Sequence, residues 1–307
     1  MNAIEACGVT RRYGTFTAVD EVSFEVPPGQ LVALLGPNGA GKTTILEMLE
    51  GFLPPSGGTV RVLGTDPRRG GREFRSRVGL VLQSTSLAPE LTVRDSLALF
   101  AQLYQTPYRV ADALAMVDLA SDALTKVGAL SGGQRRRVDL ALGMIGRPDV
   151  LFLDEPTTGL DPEARRRTWA VVEHLVTGGT TVVLTTHYID EADYLAERII
   201  VLAGGRIVAD TTPTALRSMG GPSTIRYPLP TQLCAPDVPP DLAPYLDQRE
   251  RAVIIRDSNL THHLRALVAW ADQANLDLKD LEVGAPSLEE AYLTAIGESL
   301  KPEIESQ

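Results

Sequence analysis

Cysteine is scarce in this chain of 307 residues: Cys7 and Cys234 stand alone, in no metal or redox spacing. A disulfide framework is therefore excluded, and the two thiols read as small side chains in a reducing compartment. Long apolar runs are absent as well. The longest, such as Leu31–Leu35 and Val150–Leu153, fall far short of the ~20 residues a membrane span needs, so no segment is expected to cross a bilayer. The opening MNAIEACGVTRRYG contains no apolar stretch of the kind that leads a secretory signal, which predicts a protein that stays in the cytoplasm. Positive charge is also in deficit, with 29 basic against 39 acidic residues. From Gly221 onward there are 7 basic and 14 acidic residues, net -7, leaving net -3 for residues 1–220. Neither portion is basic overall, as a protein gripping nucleic acid phosphates would be, so no nucleic-acid partner is expected, and a local patch such as Arg135–Arg137 is left open.

What is present suits an ordinary soluble core: 44% hydrophobic and 22% charged residues. The length is about twice a usual ~150-residue domain and predicts two domains, or one large domain with an appendage. The first two thirds alternate short β-branched runs with helical patterns across Gly-rich junctions, the signature of an α/β sheet. Expected strands are Glu25–Val26 leading up to Leu31–Leu35, then Val78–Leu82, Val150–Leu153, Thr180–Leu184 and Ile199–Leu202. The last four are nearly all apolar, as strands covered on both faces should be. Ala3–Val9 and Val19–Val26, separated by Tyr13-Gly14, read as a small antiparallel edge sheet, and Leu91–Val127 reads as a helical insertion. A Gly/Pro-rich stretch at 218–222 places a boundary near 220. Beyond it, Ala252–Ile255, a helix over Asn259–Trp270, Leu278–Val283 and a helix over Ser287–Ile296 suggest a small βαβα unit.

Gly36-Pro37-Asn38-Gly39-Ala40-Gly41-Lys42-Thr43 fits G-x-x-x-x-G-K-[ST], with an apolar strand before it and the helical run beginning Thr43-Thr44 after it. Glycines let consecutive N–H groups turn inward around phosphates, and the helix start adds its positive dipole end. Lys42 would neutralise phosphate charge, and Thr43 would place its hydroxyl on Mg²⁺. A second site follows at Val150–Glu155, where a buried strand puts Asp154 at its carboxyl end. Asp154 would support Mg²⁺, and Glu155 would act as the base or water-orienting group. Kinases and GTPases share both features, so the choice between them needs further residues.

Leu130-Ser131-Gly132-Gly133-Gln134, just before a basic helical run, supplies them. With it the chain resembles the nucleotide-binding subunit of an ATP-binding cassette (ABC) transporter, over residues 3 to about 218. In physical terms the Ser131, Gly132 and Gly133 donors at a helix start form a second phosphate cradle, and the resemblance implies that this cradle serves ATP held by the other subunit. It further implies that Tyr13 stacks on adenine, that Gln83 reaches Mg²⁺ and water, that Gly159-Leu160-Asp161 crosses a dimer interface, and that His187 contacts the γ-phosphate and orients water. Read singly, a Tyr in a β-turn is packing and a His at a strand end is a satisfied histidine; their order along the chain carries the assignment. His174, His262 and His263 have no such support and read as surface residues. The fold so implied is α/β: a P-loop cassette over 1–220 with a helical subdomain about 84–146, and a small α+β accessory domain over 221–307. SGGQRRRVDLALGMIGRPDVLFLDEPTTGLDP, TTHYIDEADYLAERIIVLAGGRIVADTTPTAL and PSLEEAYL are most similar to ATPase subunits of exporters for drugs, antibiotics or lipids. ASDALTKVGAL, before the signature, departs from the family in being shorter and less acidic.

The expected activity is thus ATP hydrolysis at the cytoplasmic face of a membrane, by two copies of the chain meeting head to tail and bound to a separate transmembrane permease. Leu87–Leu91 is the candidate contact for that partner. A kinase or GTPase would give Ser131 no role. A cassette ATPase acting on ribosomes or DNA would show tandem cassettes or long arms, and an importer would differ in direction of flux.

Overall fold

The nearly all-apolar runs become the interior of a parallel sheet. In the computed structural model, which describes residues 2–82, 87–230, 233, 237–257, 260–284 and 286–299, Ile4–Tyr13 (β1) and Phe16–Val26 (β2) pair antiparallel around a turn at Gly14. Pro27 and Pro28 follow β2 and cannot donate to a ladder, so Leu31–Leu35 is a separate strand (β3), buried throughout. Lys42–Glu50 (α1) and Gly57–Val62 (β4) come next, and β4 completes a sheet of order β2-β1-β4. Arg72–Ser76 (α2) leads to Val78–Val81 (β5). The expected insertion contains Val93–Ala101 (α3) and Val110–Met116 (α4), and the signature opens Gly132–Met144 (α5). Val150–Asp154 (β6), Pro162–Thr177 (α6), Thr181–Thr186 (β7), Ile189–Leu195 (α7), Arg198–Ala203 (β8), Arg206–Thr211 (β9) and Pro213–Met219 (α8) follow.

The central sheet runs β5-β6-β7-β3-β8-β9 and is parallel except for β9. Every residue of β3, β6 and β7 is buried. The core joins Ile4, Val26 and Val62 of the antiparallel sheet to Leu46 and Leu49 of α1 and to Leu34, Phe152 and Ile200 of the central sheet. The sequence pattern misses β4 and β9, because each is an edge strand with only one or two buried residues and too few apolar positions to register as a run.

By its contacts the chain divides into Met1–Pro213 and Thr214–Glu298. The second unit contains Thr224–Pro228 (β10), Leu246–Asp247 (β11), Ala252–Arg256 (β12), Leu260–Gln273 (α9), Glu282–Gly284 (β13) and Leu288–Ser299 (α10). Its sheet, β11-β12-β10-β13, is antiparallel and has more strands than the expected βαβα unit. Leu278 and Leu281 pack on the core and do not extend a strand over Leu278–Val283; only the last part of that run pairs. Tyr227 and Trp270 meet edge to face at 6.1 Å over that core. His263, expected at the surface, is largely covered, with Nε2 2.9 Å from Asp257 Oδ2. His174 and His262 are exposed as expected, and so is Cys7, whereas Cys234 lies outside the described residues.

Candidate active site

Residues 36–43 must turn the chain from a buried strand into a helix, and Gly41 makes the turn. Its φ is 101°, and a Cβ there would lie 2.6 Å from the Ala18 carbonyl oxygen. Lys42 is 6% exposed, and its Nζ donates to the carbonyl oxygens of Gly36 at 2.6 Å and Pro37 at 3.1 Å. Burial lowers the Lys42 pKa, while Glu155 and Asp154 act in the opposite sense. Above the loop opens a pocket of about 730 Å³, lined by Asn38, Gly39, Gly41, Lys42, Thr43 and Thr44 from the loop and helix start. Tyr13, Phe16, Ala18, Glu155 and His187 complete it. Gly36 and Ala40, also placed at the nucleotide by the sequence, are buried in the same loop and do not line the pocket, Ala40 N donating to Pro37 O at 3.1 Å. The donor set fits a nucleoside triphosphate. Backbone N–H groups at a helix start, a buried ammonium and the Thr43 hydroxyl face one end, and the Tyr13 and Phe16 rings, 45% and 62% exposed, offer a surface for a base.

β6 delivers the two acids from one side. Asp154 is buried, and its Oδ1 accepts from the Thr185 hydroxyl of β7. Glu155 leaves the strand with φ 46°, an uncommon conformation for a residue with a side chain, and its N donates to Thr185 O and Oγ1, both at 3.1 Å. That bend turns its carboxylate into the pocket. Oε2 accepts from Thr158 Oγ1 at 3.1 Å, and Oε1 lies 3.3 Å from His187 Nδ1.

The signature is elsewhere. Ser131 caps α5 in a capping box with Gln134, Gln134 N donating to Ser131 Oγ at 3.2 Å and Ser131 N to Gln134 Oε1 at 2.9 Å. Gln134 also donates to Asp122 Oδ1 at 3.1 Å. A Cβ on Gly133 would stand 3.6 Å from Leu160 and 3.8 Å from Ala164, so this cap lies beside the loop that holds Gly159, Leu160 and Asp161. Asp161 caps α6, accepting from Glu163 N and Ala164 N, and the Ala164 N–H bond holds its carboxyl below the usual range. None of Ser131, Gly132, Gly133, Gln134 and Asp161 lines the Lys42 pocket. Gln83 lies outside the described residues.

Sequence reasoning missed several residues here. Phe16 lines the pocket beside Tyr13, and Thr185 holds both acids. The Arg135–Arg137 run is not an open basic patch. Arg136 is 9% exposed and donates to the carbonyl oxygens of Asp154 at 2.6 Å, Pro156 at 2.9 Å and Glu155 at 3.0 Å, and also to that of Leu82. Arg137 donates to Val117 O and Asp118 O. A signal for Arg136 existed: it shares a helix face with Leu140 and Met144, both buried.

Comparison with known proteins gives the family. The family described as ABC transporter matches residues 19–158, and one described as ABC transporter domain-containing protein-like, C-terminal domain, matches residues 223–287. The daunorubicin resistance ATP-binding protein DrrA2 of Streptomyces coeruleorubidus is 38% identical, covering 96% of this chain and 95% of its own. The Nod factor export ATP-binding protein I of Paraburkholderia xenovorans is 45% identical over 70% of this chain and 72% of its own. Among solved structures, an ATP-binding subunit of an ABC transporter superposes with a TM-score of 0.65 at 25% identity, over 70% of this chain and 92% of that one. A dimeric ATP-binding cassette in a post-hydrolysis state with ADP and Pi gives 0.62 at 27%, over 68% and 98%. With such identity sustained along nearly the whole of both chains, the protein belongs to the ATP-binding cassette transporter family and is an ATPase.

Proposed function

We propose that the chain is the ATP-hydrolysing subunit of an exporter for a drug, antibiotic or lipid-like molecule, working through a separate membrane subunit. The observation that carries this reading is that likeness to the daunorubicin resistance proteins runs through 96% of the chain, past the cassette and into the C-terminal unit. Among the described residues no helix is long and apolar enough to cross a membrane, so the path for cargo is assigned to a partner. A pocket of about 360 Å³, with Phe52, Phe74 and Phe100 beside Glu50, Arg75 and Asp139, is the place assigned to apolar side chains of a cytoplasmic helix of that partner. Leu87–Leu91, the contact expected from sequence, is tied back to the insertion, with Val127 N donating to Leu91 O and Gly128 N to Pro89 O. Residues 221–307 are read as an accessory domain that tunes pairing or coupling, and the working location is the cytoplasmic face of the membrane.

At the site, Lys42 exchanges its own loop carbonyls for phosphate oxygens, and the loop N–H groups surround the same charge. Tyr13 stacks on the base. Thr43 and Asp154, with Gln83, would hold Mg²⁺, which would neutralise phosphate charge there. Glu155 takes a proton from the attacking water and His187 steadies the carboxylate and the water. The signature residues Ser131–Gln134 and Asp161, apart from the Lys42 pocket in their own chain, complete the site of a second copy in a head-to-tail dimer.

The test is Glu155→Gln, which keeps the shape and removes the base. Purified with its membrane partner, the variant should lose turnover while retaining ATP affinity, and it should accumulate as an ATP-bound dimer. Turnover near the wild-type rate would refute the assignment.

A further inference from the structure

Two residues that do not line the pocket contact the neighbours of Glu155 and His187. His187 stands on the short link between β7 and α7, and its ring lies 4.1 Å from that of Tyr188, centroid to centroid. The Arg165 guanidinium sits 4.2 Å from the Tyr188 ring centroid, and Arg165 Nη1 donates to Asp190 Oδ2 at 2.8 Å. One cation on α6 therefore grips the start of α7 through an aromatic face and a carboxylate.

Beneath this contact lies Glu191, fully buried. Its Oε1 accepts from Thr157 Oγ1 at 2.9 Å and from Trp169 Nε1 at 3.0 Å. Burial pushes the Glu191 pKa up, while its hydroxyl and indole donors and Arg165 act against that shift. An acid costs more to bury than the leucine that would fill the same space, so its presence calls for a function of its hydrogen bonds. Those bonds reach the loop immediately after Glu155 and the helix that carries Arg165. Trp169 follows Arg165 by one turn of α6, so both anchors belong to the same helix face.

We propose that Glu191 and Arg165 are positioning residues: together they lock α6 and α7 to the loop after Glu155 and to the ring of His187, and so fix the 3.3 Å relation between the two groups. The inference rests on the reading of Glu155 and His187 as the hydrolytic pair. It assigns a role to a buried acid and a half-buried cation, neither of which lines the Lys42 pocket.

The experiment uses the full chain with its membrane partner and compares wild type, Glu155→Gln, Glu191→Ala, Glu191→Gln, Thr157→Val, Arg165→Ala and Arg165→Lys. Turnover, KM, ATP affinity and melting temperature are measured for each. Glu191→Ala and Arg165→Ala should lose turnover about 10- to 100-fold, as misplaced catalytic groups do, with ATP affinity nearly unchanged. Glu191→Gln should recover most of the loss, because the amide oxygen still accepts from Thr157 and Trp169, and Arg165→Lys should recover part of it. Wild-type turnover in Glu191→Ala would overturn the proposal. So would a parallel fall of turnover, ATP affinity and melting temperature with no rescue by glutamine, which is the pattern of a merely structural residue. If Glu191→Ala does not fold, Thr157→Val removes one donor at nearly constant shape and must show the same loss confined to turnover; wild-type turnover there overturns the proposal equally. If Glu155→Gln itself turns over, the hydrolytic reading fails first and the positioning role falls with it.

Discussion

Arg136 Nη2, on the helix that the signature opens, donates to the Asp154 carbonyl oxygen at 2.6 Å. The same guanidinium reaches Glu155 O, Pro156 O and Leu82 O, so one side chain satisfies the backbone at the ends of β5 and β6. Burial lowers its pKa, and Asp139, Asp154, Glu191 and Glu155 favour the charged form. Arg136→Ala should leave those carbonyls buried without a donor and cost roughly 3–5 kcal/mol of stability. Arg136→Lys should restore only part, since an ammonium lacks the planar fork. Urea denaturation of both variants gives the numbers.

Glu50, at the end of α1, has a carboxyl pushed up to about 8 by burial, then by the charges of Asp154 and Glu47. Its Oε1 has no hydrogen-bond partner among the described residues. A folded-state value above the unfolded one means that the folded chain holds this proton more tightly. Its contribution is therefore whole below the unfolded value of 4.5 and is lost as pH rises to about 8. Glu50→Gln should match wild type near pH 5 and exceed it by about 1–3 kcal/mol near pH 8, a difference kept modest by the water the side chain still touches. Melting temperatures of the pair across that range would show the difference open as pH rises.

The phosphate loop and the acid pair are legible in sequence because each is a short string whose residue types follow from chemistry, flanked by the strand and helix it needs. Leu31–Leu35 and Val150–Leu153 are equally plain, since strands buried on both faces show as unbroken apolar runs. What escaped depends on contacts between distant segments. Arg136 reads as one more charge until its face is seen to carry Leu140 and Met144. Glu191, inside YIDEADYL, looks like a solvated helix charge, and only its meeting with Thr157 and Trp169 makes it a buried anchor. Phe16 becomes a pocket wall through the bend at Gly14. In the C-terminal unit, β10 ends on a proline and β11 is two residues long, so neither registers as a run; pairing makes them strands, β11 with β12 and β10 with both β12 and β13.

The central claim is that each ATP site is built by two chains, Lys42 from one and Ser131 from the other. Lys42→Ala and Ser131→Arg are each expected to be inactive, the first through weakened ATP binding, the second because bulk and charge block dimerisation. Mixed, they form heterodimers in which one site pairs an intact Lys42 with an intact Ser131. ATP hydrolysis by the purified heterodimer is the direct measurement: the account predicts activity well above either parent. Full activity in either single variant would contradict it.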